Sequence, residues 1–184
     1  SVSWARRCVK ETGHDDKPVC DAILESAAKL CRAPMARLLL ANDERTHYTI
    51  AACWGVEHRA TQVGETHPLD TIMLPAQSIR DNTLIHMADM REAEGYKAGI
   101  PAARRIIDGE NIRTLVFVPL SHTRQAIGCI ALNRQEVAPF TDDEIDLVKS
   151  FAAQAVIAIE NARQFRELQT RLEREAATKE ILSS

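Results

Sequence analysis

The stretch that decides the fold is NRQEVAPFTDDEIDLVKSFAAQAVIAIENARQF, residues 133–165. A strand end passes through Pro139 into Thr141, which can cap the following helix while Glu144 reaches back to it, as in a capping box. The acidic residues of this first turn also face the positive end of the helix dipole. No Gly or Pro occurs between Thr141 and Ser184, so the pattern predicts one helix to the end of the sequence.

The predicted C-terminal helix carries more apolar surface than a compact domain of this size can bury. Its a and d heptad positions are mainly apolar: Val148, Phe151, Ala155, Ala158, Ala162, Phe165, Leu172 and Ala176, with Gln169 as the polar exception. We expect residues 145–182 to form one nearly continuous helix. Past Phe165 the other faces are charged, and an isolated helix of about 15 residues is marginal in water. A coiled-coil homodimer is therefore expected here, with a frayed, solvated tail as the alternative.

Composition predicts one domain, built from aliphatic residues, with an extension. The 184 residues are 45% hydrophobic and only 4% aromatic, and the formal net charge is -3. This near-neutral charge argues against nucleic-acid binding through a basic face. No apolar run approaches the ~20 residues needed to cross a bilayer. We therefore expect no nucleic-acid partner and no membrane partner for this fragment, which we take to be part of a longer polypeptide.

The cysteines indicate a reducing compartment. They are odd in number and lie mostly in apolar helix or strand patterns: Cys8, Cys20, Cys31, Cys53 and Cys129. Reduced thiols in a cytosolic protein explain this arrangement better than disulfides. The cysteines and histidines also lack the CxxC and HxxxH spacings of zinc sites. We expect a cytoplasmic protein without a metal.

Upstream of residue 133, turn residues and apolar runs predict two hairpins flanked by helices. The predicted helices are residues 1–12, a second helix from Asp16 with Pro18 in its first turn, and residues 102–108. The second helix carries an apolar stripe of Val19, Ile23, Ala27 and Leu30, flanked by Cys20, Leu24 and Cys31. The predicted strands are residues 35–41, 48–54, 72–74, 84–87, 114–120 and 126–132. Together they predict an α+β domain around an antiparallel sheet.

Four segments resemble, in order, the elements of the GAF domain family, a sensory module of signalling proteins. They are PVCDAILESAAKLCRA (18–33), MARLLLANDERTHYTIAACWG (35–55), IRTLVFVPLSHTRQAIGCIALNRQ (112–135) and PFTDDEIDLVKSFAAQAVIAIENARQF (139–165). The resemblance implies a central antiparallel sheet with helices on one face and a ligand pocket, roofed by crossing loops, on the other. It also implies a C-terminal signalling helix that leads to an output domain, a histidine kinase or a nucleotide cyclase, in the same chain. We expect an N-terminal helix or linker over 1–14, a GAF domain over 15–165, and the start of a coiled-coil signalling helix over 166–184.

Members of the family that bind cyclic nucleotides, bilins or haem differ from this sequence. The cyclic-nucleotide motif is matched only in part, by Asn133, Arg134, Phe140, Asp143 and Glu144. A strand end and a capping box explain the same residues. Bilins attach to a cysteine in the loop-rich middle, which has none between Cys53 and Cys129. Haem needs a histidine, and His58, His67 and His86 are available, but a hydrogen-bonded or exposed histidine is far commoner than a ligand.

The enzyme alternative is a free methionine sulfoxide reductase, which has the GAF fold and uses cysteines near the pocket. Such an enzyme needs a thiolate beside the substrate. Cys129 lies in the central hairpin, but the family's other cysteines are missing, for example from ENIRTLVFVPL at 110–120. We expect inert buried thiols, and hence a domain without catalytic residues.

The pocket is expected on the sheet face opposite the first and last helices. Those helices use Val19, Ile23, Phe151 and Ala155, so residues 56–111 are left to cover the other face. The candidate ligand-binding residues are Trp54, His86, Arg113 and Cys129 in the lining, with Arg80 and Arg104 as anchors for an acidic ligand. The function expected is non-covalent binding of a small molecule, without a cofactor, and relay of the signal through a dimeric helix. A ligand-free dimerisation module, whose pocket its own side chains fill, is the further alternative.

Overall fold

An antiparallel sheet forms the centre of the molecule. The computed structural model describes residues 17–55 and 60–183. Its six strands are β1 (Met35–Ala41), β2 (His47–Gly55), β3 (Thr66–Pro68), β4 (Ile85–Met87), β5 (Thr114–His122) and β6 (Gln125–Arg134). They lie in the order β3-β2-β1-β6-β5-β4, and every neighbouring pair is antiparallel. The α+β architecture expected from the sequence is confirmed.

The helices lie on both faces of this sheet. They are α1 (Lys17–Leu30), α2 (Leu74–Asp81), α3 (Glu94–Lys97), α4 (Pro101–Gly109) and α5 (Asp142–Ser183), with a short 3-10 helix at Met90–Glu92. Helices α1 and α5 pack against each other and share one face of the sheet. The opposite face is covered by residues 60–111, which we call the roof and which contain α2, α3 and α4. The roof therefore consists of short helices joined by loops, where the sequence predicted crossing loops.

Alternation along the strands creates two separate cores. In β1, Leu38 and Leu40 point toward α1 and α5, while Leu39 points toward the roof. The helix-face cluster includes Leu24, Leu38, Val116, Ile130, Leu132 and Val148. The roof-face cluster includes Leu39, Ile50, Ile79, Ile107, Ile112, Phe117 and Cys129. Both faces of β5 and β6 are therefore buried, as their continuous apolar runs predict.

The start of α5 is the capping box predicted from the sequence. The Thr141 backbone N–H donates to Glu144 Oε2 at 2.9 Å, and the Glu144 N–H donates to Thr141 Oγ1 at 3.2 Å. Helix α5 then continues for 42 residues. No helix in the described part of the chain is long and apolar enough to cross a membrane.

Three local predictions differ from the structure or fall outside it. Residues 72–74 are not a strand, because Pro75 opens α2 and fixes the chain for a helical first turn. Val19 and Leu30 were expected in the buried stripe of α1, but they are 48% and 60% exposed. The buried face of α1 is instead formed by Leu24 and the small residues that pack against α5. The helix expected over residues 1–12 lies outside the described residues.

Candidate functional site

A cavity lies between the sheet and the roof. Its volume is about 70 Å³, enough for several water molecules. Most of its wall is apolar and comes from β1, β2, β5, β6, the roof and the residue after it: Leu39, Ile50, Ile72, Met73, Leu74, Pro75, Met90, Ala93, Ala103, Ile106, Ile107, Ile112, Leu115, Phe117 and Ala131. An apolar hollow with a few polar groups is the usual form of a small-molecule site.

The polar wall of the cavity is formed by few residues. They are Arg37, Tyr48, Thr61, His67 and Tyr96. Among the described residues that line the cavity, Arg37 is the only Asp, Glu, Lys or Arg. It lies on β1 between Ala36 and Leu38, which belong to the helix-face cluster, so its own side chain faces the roof.

Arg37 forms a buried ion pair with Glu110, the residue that follows α4. The two residues are only 5% and 3% exposed, and Arg37 Nη2 contacts Glu110 Oε2. Burial lowers the pKa of Arg37 to about 10, so its guanidinium is still charged at neutral pH. Glu110 Oε1 accepts from Thr61 Oγ1 at 2.8 Å and from the Ala60 N–H at 3.2 Å. Because a buried charge is costly unless it is paired and hydrogen-bonded, this network fixes the roof to the sheet.

Two further side chains contact the Arg37 guanidinium. Asn133 on β6 is fully buried. Its side-chain amide satisfies both of its neighbours when its oxygen accepts from Arg37 Nη1 at 3.0 Å and its nitrogen donates to the Leu132 carbonyl. Cys53, opposite Arg37 on β2, lies close enough that the guanidinium partly offsets the effect of burial, which raises the pKa of the thiol. Arg37 thus joins three neighbouring strands to the roof.

A second polar cluster lies beside the cavity, and His67 is its member in the cavity wall. His67 on β3 stacks on Tyr48, with ring centroids 5.3 Å apart, and its Nε2 lies 3.2 Å from Glu65 Oε1. Arg105 on α4 donates to the same oxygen at 2.6 Å and also to the Ala60 carbonyl. Burial lowers the pKa of His67 below its ordinary 6.5, so the imidazole is neutral at pH 7.

The roof also contains a packed arrangement around Tyr96. The Tyr96 hydroxyl donates to Asp108 Oδ1 at 2.9 Å. The Arg104 guanidinium stacks 3.9 Å from the centre of the Tyr96 ring, and its Nε donates to the Tyr96 carbonyl at 3.0 Å. Arg104, one of the two expected anchors, therefore holds a cavity-lining residue and does not itself line the cavity.

Two other predicted site residues lie on the face of the sheet that α1 and α5 cover. Trp54 packs against the helix-face cluster. His86 on β4 accepts a hydrogen bond at Nε2 from the Phe140 N–H at 3.0 Å, and the two rings meet edge to face at 5.9 Å. Burial and the positive charge of Arg134 lower the pKa of His86. These two side chains therefore do not converge on the cavity.

The remaining three candidates also lie outside the cavity wall. Cys129 is fully buried in the roof-face cluster, and burial raises the pKa of its thiol, but it does not line the cavity. Arg80 donates to the carbonyls of Leu69 and Thr71 at 2.8 and 3.2 Å. Arg113 forms two hydrogen bonds, at 2.7 and 3.1 Å, with the Asp89 carboxylate and so lowers its pKa to about 2.

Arg37 and Glu110 were not among the site residues predicted from the sequence. The available signal was a single charge inside the apolar strand MARLLLA, where burial on both sides leaves no solvent for a guanidinium. Its partner is distant in the chain, so pairing the two from one sequence was not feasible. No group of three or more His, Cys, Asp or Glu suited to a metal ion occurs within 17–55 and 60–183.

Comparisons with known proteins bear on the fold. The sequence model of the family described as GAF domain matches residues 17–159. A domain of a protein described as a two-component sensor histidine kinase, from Sinorhizobium meliloti 1021, superposes with a TM-score of 0.67 at 20% identity, over 85% of this chain and 99% of that one. The second GAF domain of DevS from Mycobacterium smegmatis gives a TM-score of 0.64 at 18% identity, over 84% and 99%.

An enzyme is also similar in structure. It is the type II free methionine-R-sulfoxide reductase from Thermoplasma acidophilum, with a TM-score of 0.62 at 14% identity, over 79% of this chain and 93% of that one. At such identities the likeness establishes the fold and leaves the function open. No curated protein sequence matches the chain.

Proposed function

Because the chain belongs to the GAF domain family, we propose that it is a sensory domain that binds a small molecule non-covalently between the sheet and the roof. The observation that carries this proposal is the apolar cavity closed by α2, α3 and α4, on the sheet face opposite α5. A hollow of this kind leaves the lining side chains without partner atoms, which a ligand would supply. In the described residues its walls come from both the sheet and the roof, so a ligand would contact both.

The second part of the proposal is that α5 relays the signal as a homodimer. On the side of α5 away from the helix-face cluster, Ile157, Leu168 and Leu172 are 63%, 53% and 57% exposed. Val148 and Ala155, heptad positions in the first half of the helix, are buried in the domain itself, as expected for the part of α5 that packs on the sheet. A second copy of the helix would cover the exposed stripe in a homodimer. In each chain, α5 would then continue into the output domain of that chain. We further propose a histidine kinase or a nucleotide cyclase as that output, in the cytoplasm.

The chemistry of the thiols supports a domain without catalysis. A sulfoxide reductase needs a thiolate beside its substrate. Burial raises the pKa of Cys129, which is outside the cavity wall, and burial likewise raises the pKa of Cys53. Both thiols are therefore poor nucleophiles, and the reductase is the less supported alternative.

Native mass spectrometry of the freshly purified chain tests the binding proposal. Wild type is expected to retain a small molecule as added mass, which is lost when the protein is denatured. Ile106 lines the cavity from α4, so Ile106→Trp should fill the space and abolish the added mass. Val137 is 52% exposed and outside the cavity wall, so Val137→Trp should retain it. Equal retention by both variants would place the bound molecule elsewhere and contradict the proposal.

A further inference from the structure

The charges around the cavity are balanced before any ligand enters. Arg37 is neutralised by Glu110, whose side chain is completely buried. Behind the wall, Glu65 is paired with Arg105, 2.6 Å away. His67, which lines the cavity, is neutral at pH 7 because burial lowers its pKa. The described wall of the cavity therefore presents a net charge near zero.

From this balance we propose that the cavity selects an electrically neutral, mainly apolar small molecule and rejects both carboxylates and ammonium ions. This inference rests on the proposed function and adds the chemical class of the ligand. A bound carboxylate would place a second negative charge, in addition to that of Glu110, beside the single positive charge of Arg37. An ammonium ion would lie next to Arg37 without an anion of its own. Either would be an unpaired charge against an apolar wall, which strongly disfavours binding.

The geometry also places the polar end of such a ligand. The Thr61 hydroxyl gives its hydrogen to Glu110 Oε1, so its oxygen can still accept one. The Arg37 guanidinium lies on the same wall and offers N–H donors. A hydroxyl or carbonyl group would face these two residues, while a carbon skeleton would lie against Leu39, Ile50 and Phe117.

This class differs from the acidic ligand expected from Arg80 and Arg104. Arg80 is bound to the carbonyls of Leu69 and Thr71, and Arg104 is stacked on Tyr96. Neither guanidinium lines the cavity. Because the cavity is small, the matched probes should have only a few carbon atoms.

The test uses three probes of nearly equal shape: isobutanol, isobutyrate and isobutylammonium. Each is titrated at pH 7 into the isotopically labelled chain while backbone amide shifts are followed by NMR. Isobutanol is expected to produce saturable shifts in β1, β2 and α4. The two ions should bind at least ~10-fold more weakly, the consequence of burying an unpaired charge.

Two variants reverse or restore the preference. Glu110→Gln leaves the Arg37 charge without its partner, so isobutyrate should then bind more tightly than isobutanol, a swing of at least ~10-fold. The double variant Arg37→Gln/Glu110→Gln removes both charges and should again prefer isobutanol. A merely structural role for Glu110 would weaken all three probes together and would not change their order.

The outcomes separate the two proposals. Isobutyrate bound to wild type as tightly as isobutanol, with shifts in the same segments, would overturn the neutral-ligand inference and leave the proposed binding function intact. The absence of saturable shifts from all three probes would overturn both. If Glu110→Gln does not fold, the wild-type series and the double variant still decide.

Discussion

Asn133 and Arg134 are consecutive residues of β6 whose side chains serve opposite faces of the sheet. Asn133 contacts Arg37 at the cavity wall, with Oδ1 accepting from Nη1 at 3.0 Å. Arg134 lies on the other face, where it donates to Glu144 Oε1 in the first turn of α5 at 2.9 Å. A displacement of β6 by a ligand would therefore reach the start of α5 through a single peptide unit. Such a route requires two discrete arrangements that the ligand binds with different affinity.

Arg134 is expected to be the strongest single support of the α5 start. It donates to the carbonyls of Cys31, Ala138 and Pro139 and lies 4.0 Å from the centre of the Phe140 ring. Arg134→Met should lower the free energy of unfolding by about 2–4 kcal/mol, because buried carbonyls lose a charged donor. Urea unfolding measures this change. Arg163→Met, which removes only an exposed pair with Glu167, should change it by less than about 0.5 kcal/mol.

Removal of the helix cap should have a smaller effect. Thr141→Ala removes the acceptor of the Glu144 N–H and is expected to cost about 1 kcal/mol in thermal or urea unfolding. Thr178 is exposed in the interior of α5, where Ala is the better helix former. Thr178→Ala should therefore be neutral or slightly stabilising. Equal losses at both positions would show that the cap contributes nothing specific.

His86 should make stability depend on pH. Its folded-state pKa lies below the ordinary 6.5, so the unfolded chain takes up protons first as the pH falls. The stabilisation that neutral His86 contributes is complete above pH 6.5, and it declines as the pH falls from there toward the folded-state pKa of His86. Protonation also removes the Nε2 acceptor of the Phe140 N–H.

His86→Gln tests this pH dependence, because a Gln carbonyl can accept the same hydrogen bond without titrating. Its unfolding free energy should fall less between pH 7 and pH 5 than that of wild type. His67 has a pKa shift in the same direction, so His67→Gln/His86→Gln should give the flattest profile. If the unfolding free energy of both variants depends on pH as steeply as that of wild type, these histidines do not cause the pH dependence.

The dimer proposal can be tested by one charge on the exposed stripe. Leu172→Glu should weaken self-association by about 2 kcal/mol, or ~30-fold in Kd, because a buried apolar contact is lost. Light scattering and sedimentation measure the mass against concentration. Thr170 lies on the opposite side of α5, so Thr170→Glu should leave the dimer intact. A wild-type chain that is monomeric at high micromolar concentration would exclude the dimer.

Elements with an uninterrupted local signal were predictable. Residues 114–120 and 126–132 were predicted as strands, and β5 and β6 contain them, joined at Thr123 and Arg124, whose positive φ angles of 44° and 73° are typical of tight hairpin turns. The capping box also depends on neighbouring residues alone. Both are decided within a few positions of the chain.

The structural features that the sequence did not reveal depend on contacts between residues far apart in the chain. The exposure of Val19 depends on how α1 packs against α5, and the orientation of His86 depends on Phe140. The six candidate site residues were chosen by residue type, and their ligand-binding role stays a prediction. The polar centre of the cavity instead comes from Arg37 and Glu110, which meet only when the sheet and roof assemble.

Amide hydrogen exchange of the whole chain, with and without saturating isobutanol, tests most directly whether the cavity binds a ligand and influences α5. Exchange should be slower around Arg37 on β1, in α4 and near Thr61, because binding stabilises the ligand-bound cavity. The rate should also change at residues 142–148, the start of α5, through Arg134 and Glu144. Unaltered exchange in the roof and the central hairpin, or changes confined to α5 beyond residue 165, would contradict the claim that this cavity binds a ligand and reports to the helix.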